Sequence, residues 1–230
     1  MAEKNVRLDK YLCDAGAGTR SEVKKRIRAG SVTVNGERVK QPEIKVFPGK
    51  DRICLEGALM ETPEEHVLYL LNKPAGYVSA TEDGRYPTVL ELIPSTRKGL
   101  FPVGRLDKDT EGLLLITDDG DFAHSLLSPS RHVDKTYFAR VSGEVIGADI
   151  KKVSEGFSIG EKKPTLPGKL EILRVYEEDG ILLSEIRLTI HEGKYHQVKR
   201  MMEALGKPVL YLKRLSMGPF TLPDDLPPGA

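Results

Sequence analysis

Leu8, Tyr11, Leu12 and Ala15 recur at i, i+3, i+4 and i+7, which predicts a short amphipathic helix over residues 7–15. Gly16 and Gly18 stop it. Thr19 and Glu22 stand in the T-x-x-E pattern of a capping box, which opens a second helix with Val23 and Ile27 inward. Lys24, Lys25, Arg26 and Arg28 fall largely on its outer face, and Gly30 ends it. Val32 and Val34 then alternate with polar residues. Asn35-Gly36 predicts a type I′ hairpin turn, Val39 continues on the far side, and Arg52–Leu55 is a closing strand.

Past residue 60 the pattern changes. Glu61–His66 is polar, contains Pro63 and has no period, so it reads as a linker between residues 1–60 and 67–230. Val67–Leu71 and Leu113–Ile116 are continuous apolar runs, expected as buried strands. Thr88–Leu92 reads as one or two helical turns, and helices are expected around Phe122–Leu127, across Ile150–Val153 and over Tyr195–Leu205. Tyr137–Val141, Glu171–Tyr176, Ile181–Ile190 and Val209–Leu215 read as strands, with Glu177–Gly180 as a hairpin loop. Hairpins with occasional helices argue an α+β body built on a mostly antiparallel sheet, behind a small helix-hairpin domain.

Composition sharpens this picture. The 230 residues are 39% hydrophobic and 30% charged, with net charge +1. That balance conceals an asymmetry: residues 1–60 carry 13 Lys+Arg against 8 Asp+Glu, and the remainder is mildly acidic. A small basic head points to a polyanionic partner, nucleic acid first. No stretch approaches the roughly 20 apolar residues of a membrane span. The amino terminus has no apolar core of a secretory signal. Cys13 and Cys54, only two and far apart, make neither a disulfide framework nor a zinc cage, which fits a reducing cytoplasm. Phosphate-cradling G-x-x-x-x-G-K-[ST] and strand-linked G-x-G-x-x-G patterns are absent, so no nucleotide cofactor is expected.

The densest candidate chemistry is Gly104-Arg105-Leu106-Asp107-Lys108-Asp109-Thr110-Glu111-Gly112, a charged loop running straight into Leu113–Ile116. A rigid strand holding a charged loop is a common way to place reacting groups. Taken alone, Asp107, Asp109 and Glu111 admit paired-carboxylate glycoside hydrolysis or Mg²⁺-dependent phosphoryl chemistry. Arg105 and Lys108 beside them oppose a cation. The histidines at 66, 124, 132, 191 and 196 lack ligand spacing, so no metal is expected, and His196 reads as a packing or RNA-facing residue.

Ordered strings narrow the choice. R-L-D-K-Y-L-C-D-A-G through S-V-T-V-N-G, over residues 7–53, resembles the S-four type RNA-binding module. That resemblance makes Arg7, Lys10, Arg20, Lys24, Lys25 and Arg28 the phosphate-contact candidates. G-R-L-D-x-x-T-x-G-L-L-L-x-T, from Gly104, resembles the active-site signature of pseudouridine synthases that modify ribosomal RNA. Asn72-Lys73-Pro74-Ala75-Gly76, Lys135-Thr136-Tyr137 and Glu192–Met201 resemble the family's other motifs, in order.

The resemblance implies isomerisation of uridine in rRNA with no cofactor. Asp107 would be the essential aspartate, acting as nucleophile at C1′ or as base at the 2′ position. Lys199 would be its basic partner, and Tyr137 would stack on the base or assist proton transfer. Val198 would form an apolar wall, Arg105 would fill the stack vacated by the flipped base, and Lys73 and Arg200 would contact substrate. The Y-H-Q-V-K-R-M form is similar to the branch acting on small-subunit rRNA. Large-subunit rRNA and a non-catalytic role in ribosome assembly are the alternatives. The expected partner is rRNA or a pre-ribosomal particle, and the expected state is a monomer.

Overall fold

The computed structural model describes residues 5–61, 66–128 and 131–230. The chain divides into two units. One comprises Met1–Leu68 with Ser95–Leu100 and Thr117–Gly120; the other comprises Tyr69–Pro94, Phe101–Ile116 and Asp121–Ala230. Four residues of the expected linker, 62–65, lie outside the described residues.

In the first unit, β1 (Val6–Arg7) leads into α1 (Leu8–Asp14), and α2 spans Arg20–Arg28. The predicted capping box forms: Thr19 N donates to Glu22 Oε2 (2.8 Å) and Glu22 N to Thr19 Oγ1 (3.4 Å). Then come β2 (Val32–Val34), β3 (Glu37–Val39), β4 (Lys45–Val46), β5 (Ile53–Leu55) and β6 (Ala58–Leu59). Asn35 and Gly36 both have positive φ, 54° and 89°, as a type I′ turn requires. An antiparallel sheet ordered β3-β2-β5-β6 results, and β1 pairs separately with β4. Leu8, Leu12, Val23, Ile27, Val32, Val46 and Ile53 make its core. The two-residue strands β1, β4 and β6 carry no period and were not expected from the pattern.

The second unit is built on β7 (Leu68–Lys73), β8 (Phe101–Pro102), β9 (Glu111–Thr117), α3 (Gly120–Leu127), β10 (Lys135–Ser142), α4 (Gly147–Glu155), β11 (Lys169–Glu178), β12 (Ile181–Ile190), α5 (Gln197–Ala204), β13 (Val209–Met217) and β14 (Phe220–Thr221). Val89–Leu92 is a 3-10 turn. Eight strands form one sheet, with main order β11-β12-β10-β13-β9-β7; β14 flanks β13 and β8 flanks β9. The pairs β11–β12, β12–β10 and β10–β13 are antiparallel, and β13–β9 is parallel. The α+β class with a mostly antiparallel mixed sheet is therefore the observed one. Leu113, Leu114, Leu115 and Ile116 are all fully buried, which explains the unbroken apolar run: a strand covered on both faces has no polar alternation.

Several boundaries differ from expectation, and three of them have a visible local cause or burial pattern. The strand predicted over 67–71 runs over 68–73. Its hydrophobic start, Leu68, is exposed, while the polar end, Asn72 and Lys73, is buried. The β11–β12 hairpin turns on Asp179-Gly180 alone, both with positive φ, so Glu177 and Glu178 belong to the strand. The helix expected from Tyr195 begins at Gln197, because His196 adopts a left-handed conformation at its start (φ 47°, ψ 37°).

Candidate active site

The loop between β8 and β9 is fastened from beneath. Lys73, at the end of β7, is fully buried, and its Nζ donates to Pro74 O (3.0 Å), Lys108 O (3.2 Å) and Thr110 O (2.8 Å). Gly76 N donates to Lys108 O (2.8 Å). Ser79 Oγ bonds both Leu106 N and Leu106 O, each at 3.0 Å. Burial pushes the Lys73 ammonium down to about 8, with Asp109, Glu111 and Asp107 opposing the shift. At the far end of the loop, Gly112 (φ 97°) lies so close to β13 that a Cβ would collide with the Arg214 backbone carbonyl.

This loop borders a cavity of about 790 Å³ lined by residues of the larger unit, among them Arg105, Asp107, Thr110, Tyr137, Val198 and Arg214. Asp107 is partly exposed there. Its Oδ2 is 3.0 Å from Lys199 Nζ, and its Oδ1 is 3.2 Å from His196 Nε2. Lys199 Nζ also donates to Asp109 Oδ1 (2.6 Å). Burial is the largest single influence on each and opposes both charges, but the Lys199–Asp109 hydrogen bond and charge attraction together, with Asp107 adding to Lys199, outweigh it, leaving Asp109 below and Lys199 above their ordinary ranges. A partly exposed carboxylate aimed by a fixed cation, as Asp107 is by Lys199, suits a nucleophile or a base.

Local structure explains how Lys199 arrives. Glu192 Oε1 accepts from Leu166 N (2.9 Å) and from Gln197 Nε2 (2.8 Å), and Gln197 Oε1 accepts from Lys194 N (2.9 Å). That knot sets the left-handed His196, whose ring stacks on Tyr195 with centroids 3.8 Å apart. From there α5 presents Val198, nearly buried, and Lys199 to the cavity. Tyr137 comes from β10, opposite Arg214 of β13 and Leu188 of β12, and is 8% exposed. Arg105 is exposed at the cavity.

Thus Asp107, Tyr137, Lys199, Arg105 and Val198 share one cavity, whereas Lys73 and Arg200 sit elsewhere. Lys73 is sealed under the loop and reads as its strap, not as a substrate contact. Arg200 donates to Glu161 Oε1 (2.6 Å), Ile159 O (2.7 Å) and Tyr195 O (3.2 Å), which commits its guanidinium to the neighbouring chain. His196, Asp109, Lys135, Thr110 and Arg214 were missed as site residues. His196 had a signal, its place beside Lys199 in the motif. So had Asp109 and Thr110, in the string that carries Asp107, and Lys135, two residues before Tyr137; Arg214 needed the register of β10 and β13. Among the described residues no cluster of His, Cys, Asp and Glu could hold a metal ion.

In the smaller unit, Arg20, Lys25 and Arg28 are exposed on α2. Arg7 makes a two-point pair with Asp9 (2.9 Å each), Lys10 pairs with Asp14 (3.0 Å) and Lys24 approaches Asp9 (3.8 Å).

A basic helix-hairpin unit followed by a mixed sheet with an aspartate-bearing cavity defines an RNA-directed enzyme class. Residues 67–204 match the family described as RNA pseudouridylate synthase, and residues 6–51 match the S4 domain. The RNA pseudouridine synthase YtzG of Bacillus subtilis is 44% identical over 97% of this chain and 92% of its own. The ribosomal small subunit pseudouridine synthase A of Haemophilus influenzae is 41% identical over 97% and 94%. A crystal structure of a pseudouridylate synthase superposes with TM-score 0.68 at 39% identity, covering 98% of this chain and 94% of that one. The chain belongs to the RNA pseudouridine synthase family and is an RNA uridine isomerase with an amino-terminal S4 domain.

Proposed function

We propose that this enzyme converts a specific uridine of small-subunit ribosomal RNA to pseudouridine, with Asp107 as the reacting carboxylate. The observation carrying this reading is the partly exposed Asp107 at the cavity, fixed between Lys199 and His196. The relatives' printed activity supports the choice of RNA.

Asp107 either attacks C1′ or removes the 2′ proton. In both routes the C1′–N1 bond breaks and its electron pair leaves with the uracil. The base then rotates and C5 bonds to C1′, which displaces the Asp107 carboxylate in the first route and is completed by return of the 2′ proton in the second; the C5 proton then leaves and N1 takes one up. Nothing is oxidised or hydrolysed. Lys199, 3.0 Å from Oδ2, orients Asp107. Tyr137 stacks on the uracil, Val198 walls it, and Arg105 occupies the vacated stack, offsetting a flipping cost of a few kcal/mol. Residues 1–60 supply phosphate contacts through Arg7, Lys10, Arg20, Lys24, Lys25 and Arg28, residues 61–66 link, and residues 67–230 carry the chemistry. The enzyme works as a monomer in the cytoplasm, on rRNA or an assembling particle.

The test is tritium release from C5-labelled unmodified small-subunit rRNA, with large-subunit rRNA and Asp107→Asn alongside. Release confined to small-subunit RNA and lost in the variant is expected. Release from large-subunit RNA alone overturns the substrate. Retained release in Asp107→Asn overturns the carboxylate. RNA binding without release from either RNA or an assembling particle indicates an assembly factor.

A further inference from the structure

Arg214 has no part in the assignments above, yet it lines the same cavity and is only 2% exposed. Its Nε donates to Leu113 O (2.8 Å), which locks the guanidinium against β9. Its Nη2 is buried with no hydrogen-bond partner, and among the described residues no carboxylate forms an ion pair with it. Burying a cation without an anion is unfavourable, and a charged donor left unbonded adds to that cost. A fold retains such a group where a ligand brings the missing partner.

Other features of the cavity agree. Thr110 lines it too, and its Oγ1 is likewise buried without a partner. Lys135, also lining it, is pushed below the ordinary lysine range by burial and by the Arg214 charge; Asp134 opposes that shift. Arg214 is the register partner of Tyr137 on the adjacent strand, which sets the guanidinium beside the ring assigned to the base. The floor is thus positively charged where the uracil sits.

We propose that Arg214 is a further catalytic residue, donating from its guanidinium to a uracil carbonyl and stabilising the uracil anion formed when C1′–N1 breaks. The electron pair leaving C1′ spreads from N1 onto O2 and O4. A fixed cation bonded to one of those oxygens gains more from the anion than from the neutral base, so it lowers the barrier rather than merely tightening binding. The negative charge is discharged when C5 bonds to C1′, and the C5 proton then departs as N1 takes one up. Both routes open to Asp107 generate this anion, and neither needs a co-reactant.

The inference rests on Asp107 as the reacting carboxylate, so Asp107→Asn is assayed in parallel. Single-turnover tritium release and RNA dissociation constants are measured for Arg214→Ala on small-subunit rRNA. The expected rate falls about 10²–10³-fold with affinity within about threefold, as for loss of one anion-stabilising donor. Methylguanidinium should restore the rate at least about tenfold, and methylurea, of similar shape but neutral, should not. A rate within about threefold of wild type overturns the proposal. So does rescue by methylurea to the same extent, which indicates a packing role. An affinity loss that accounts for the whole rate loss also overturns it, and indicates a phosphate contact. If circular dichroism finds Arg214→Ala unfolded, Arg214→Lys is read instead. It should lose about tenfold in rate at unchanged affinity, since the ammonium lacks the fork anchored on Leu113; full activity or weakened binding overturns the assignment. Active Asp107→Asn protein would instead indict the underlying reading.

Discussion

In the amino-terminal unit Arg20, Lys25 and Arg28 stand exposed on α2, whereas in the larger unit Lys73 and Arg214 are 0% and 2% exposed. The side chains are of the same types, but their surroundings separate their work. Exposed cations meet phosphates in high dielectric, so their contribution is broad and screened by salt. Buried cations are aimed by named acceptors: Pro74, Lys108 and Thr110 carbonyls for Lys73, and the Leu113 carbonyl for Arg214. Lys199 lies between these extremes, partly exposed and shared by two carboxylates. On the proposed reading the smaller unit governs how tightly RNA is held, and the larger unit governs what happens to one nucleotide.

The sharpest division of these roles is Asp107→Asn. Turnover should fall by at least about 10³-fold, with RNA affinity near wild type because the neutral isostere adds no repulsion. A parallel loss of affinity in filter binding would show that the separation is false. Lys199→Met should cost about 10²-fold in single-turnover rate, since Asp107 and Asp109 lose their common cation and face each other uncompensated. Its affinity should change far less than its rate.

Replacing Arg20, Lys25 and Arg28 together by alanine should do the reverse. The slope of log affinity against log salt should shrink by about 2–3, while the rate at saturating protein stays close to wild type. An unchanged slope would remove these residues from the phosphate contacts.

The smallest expected effect is on stability. Lys73→Met removes a donor from three backbone carbonyls, of which Lys108 O keeps a bond from Gly76 N, and equilibrium denaturation should find it about 2–3 kcal/mol less stable near neutral pH. The pH dependence has a definite sign. The Lys73 ammonium titrates at about 8 in the folded chain, against 10.5 for an ordinary lysine. Below 8 both states are protonated and the folded state bears the full burial penalty. Between 8 and 10.5 the unfolded chain holds a proton that folded Lys73 has lost, so this residue's contribution to stability rises with pH. Lys73→Met should lack that contribution, and an identical pH profile in the variant would contradict it.

Local rules were legible along the chain, while the placement of polar groups was not. The capping box at Thr19 and Glu22, the Asn35-Gly36 turn and the apolar run of β9 each declare themselves over a few residues. Each is governed by neighbours in sequence, through hydrogen-bond geometry, positive φ or burial on both faces. The motif strings located Asp107, Tyr137 and Lys199 before any contact was known. Lys73 and Arg200 lay in equally suggestive strings, yet the fold turned one under the loop and the other onto Glu161.

The sequence by itself determined the α+β class and the strand and loop that carry Asp107. Only the tertiary structure decided which cations face the cavity and which brace it, because that depends on strand register and on distant carbonyl acceptors. Arg214 is the clearest case. Nothing within Val209–Met217 marks it out. It acquires meaning from the antiparallel register that sets it opposite Tyr137 and the parallel one that brings it to Gly112. Those contacts join residues about 80 and 100 positions apart, a separation at which no local period carries information.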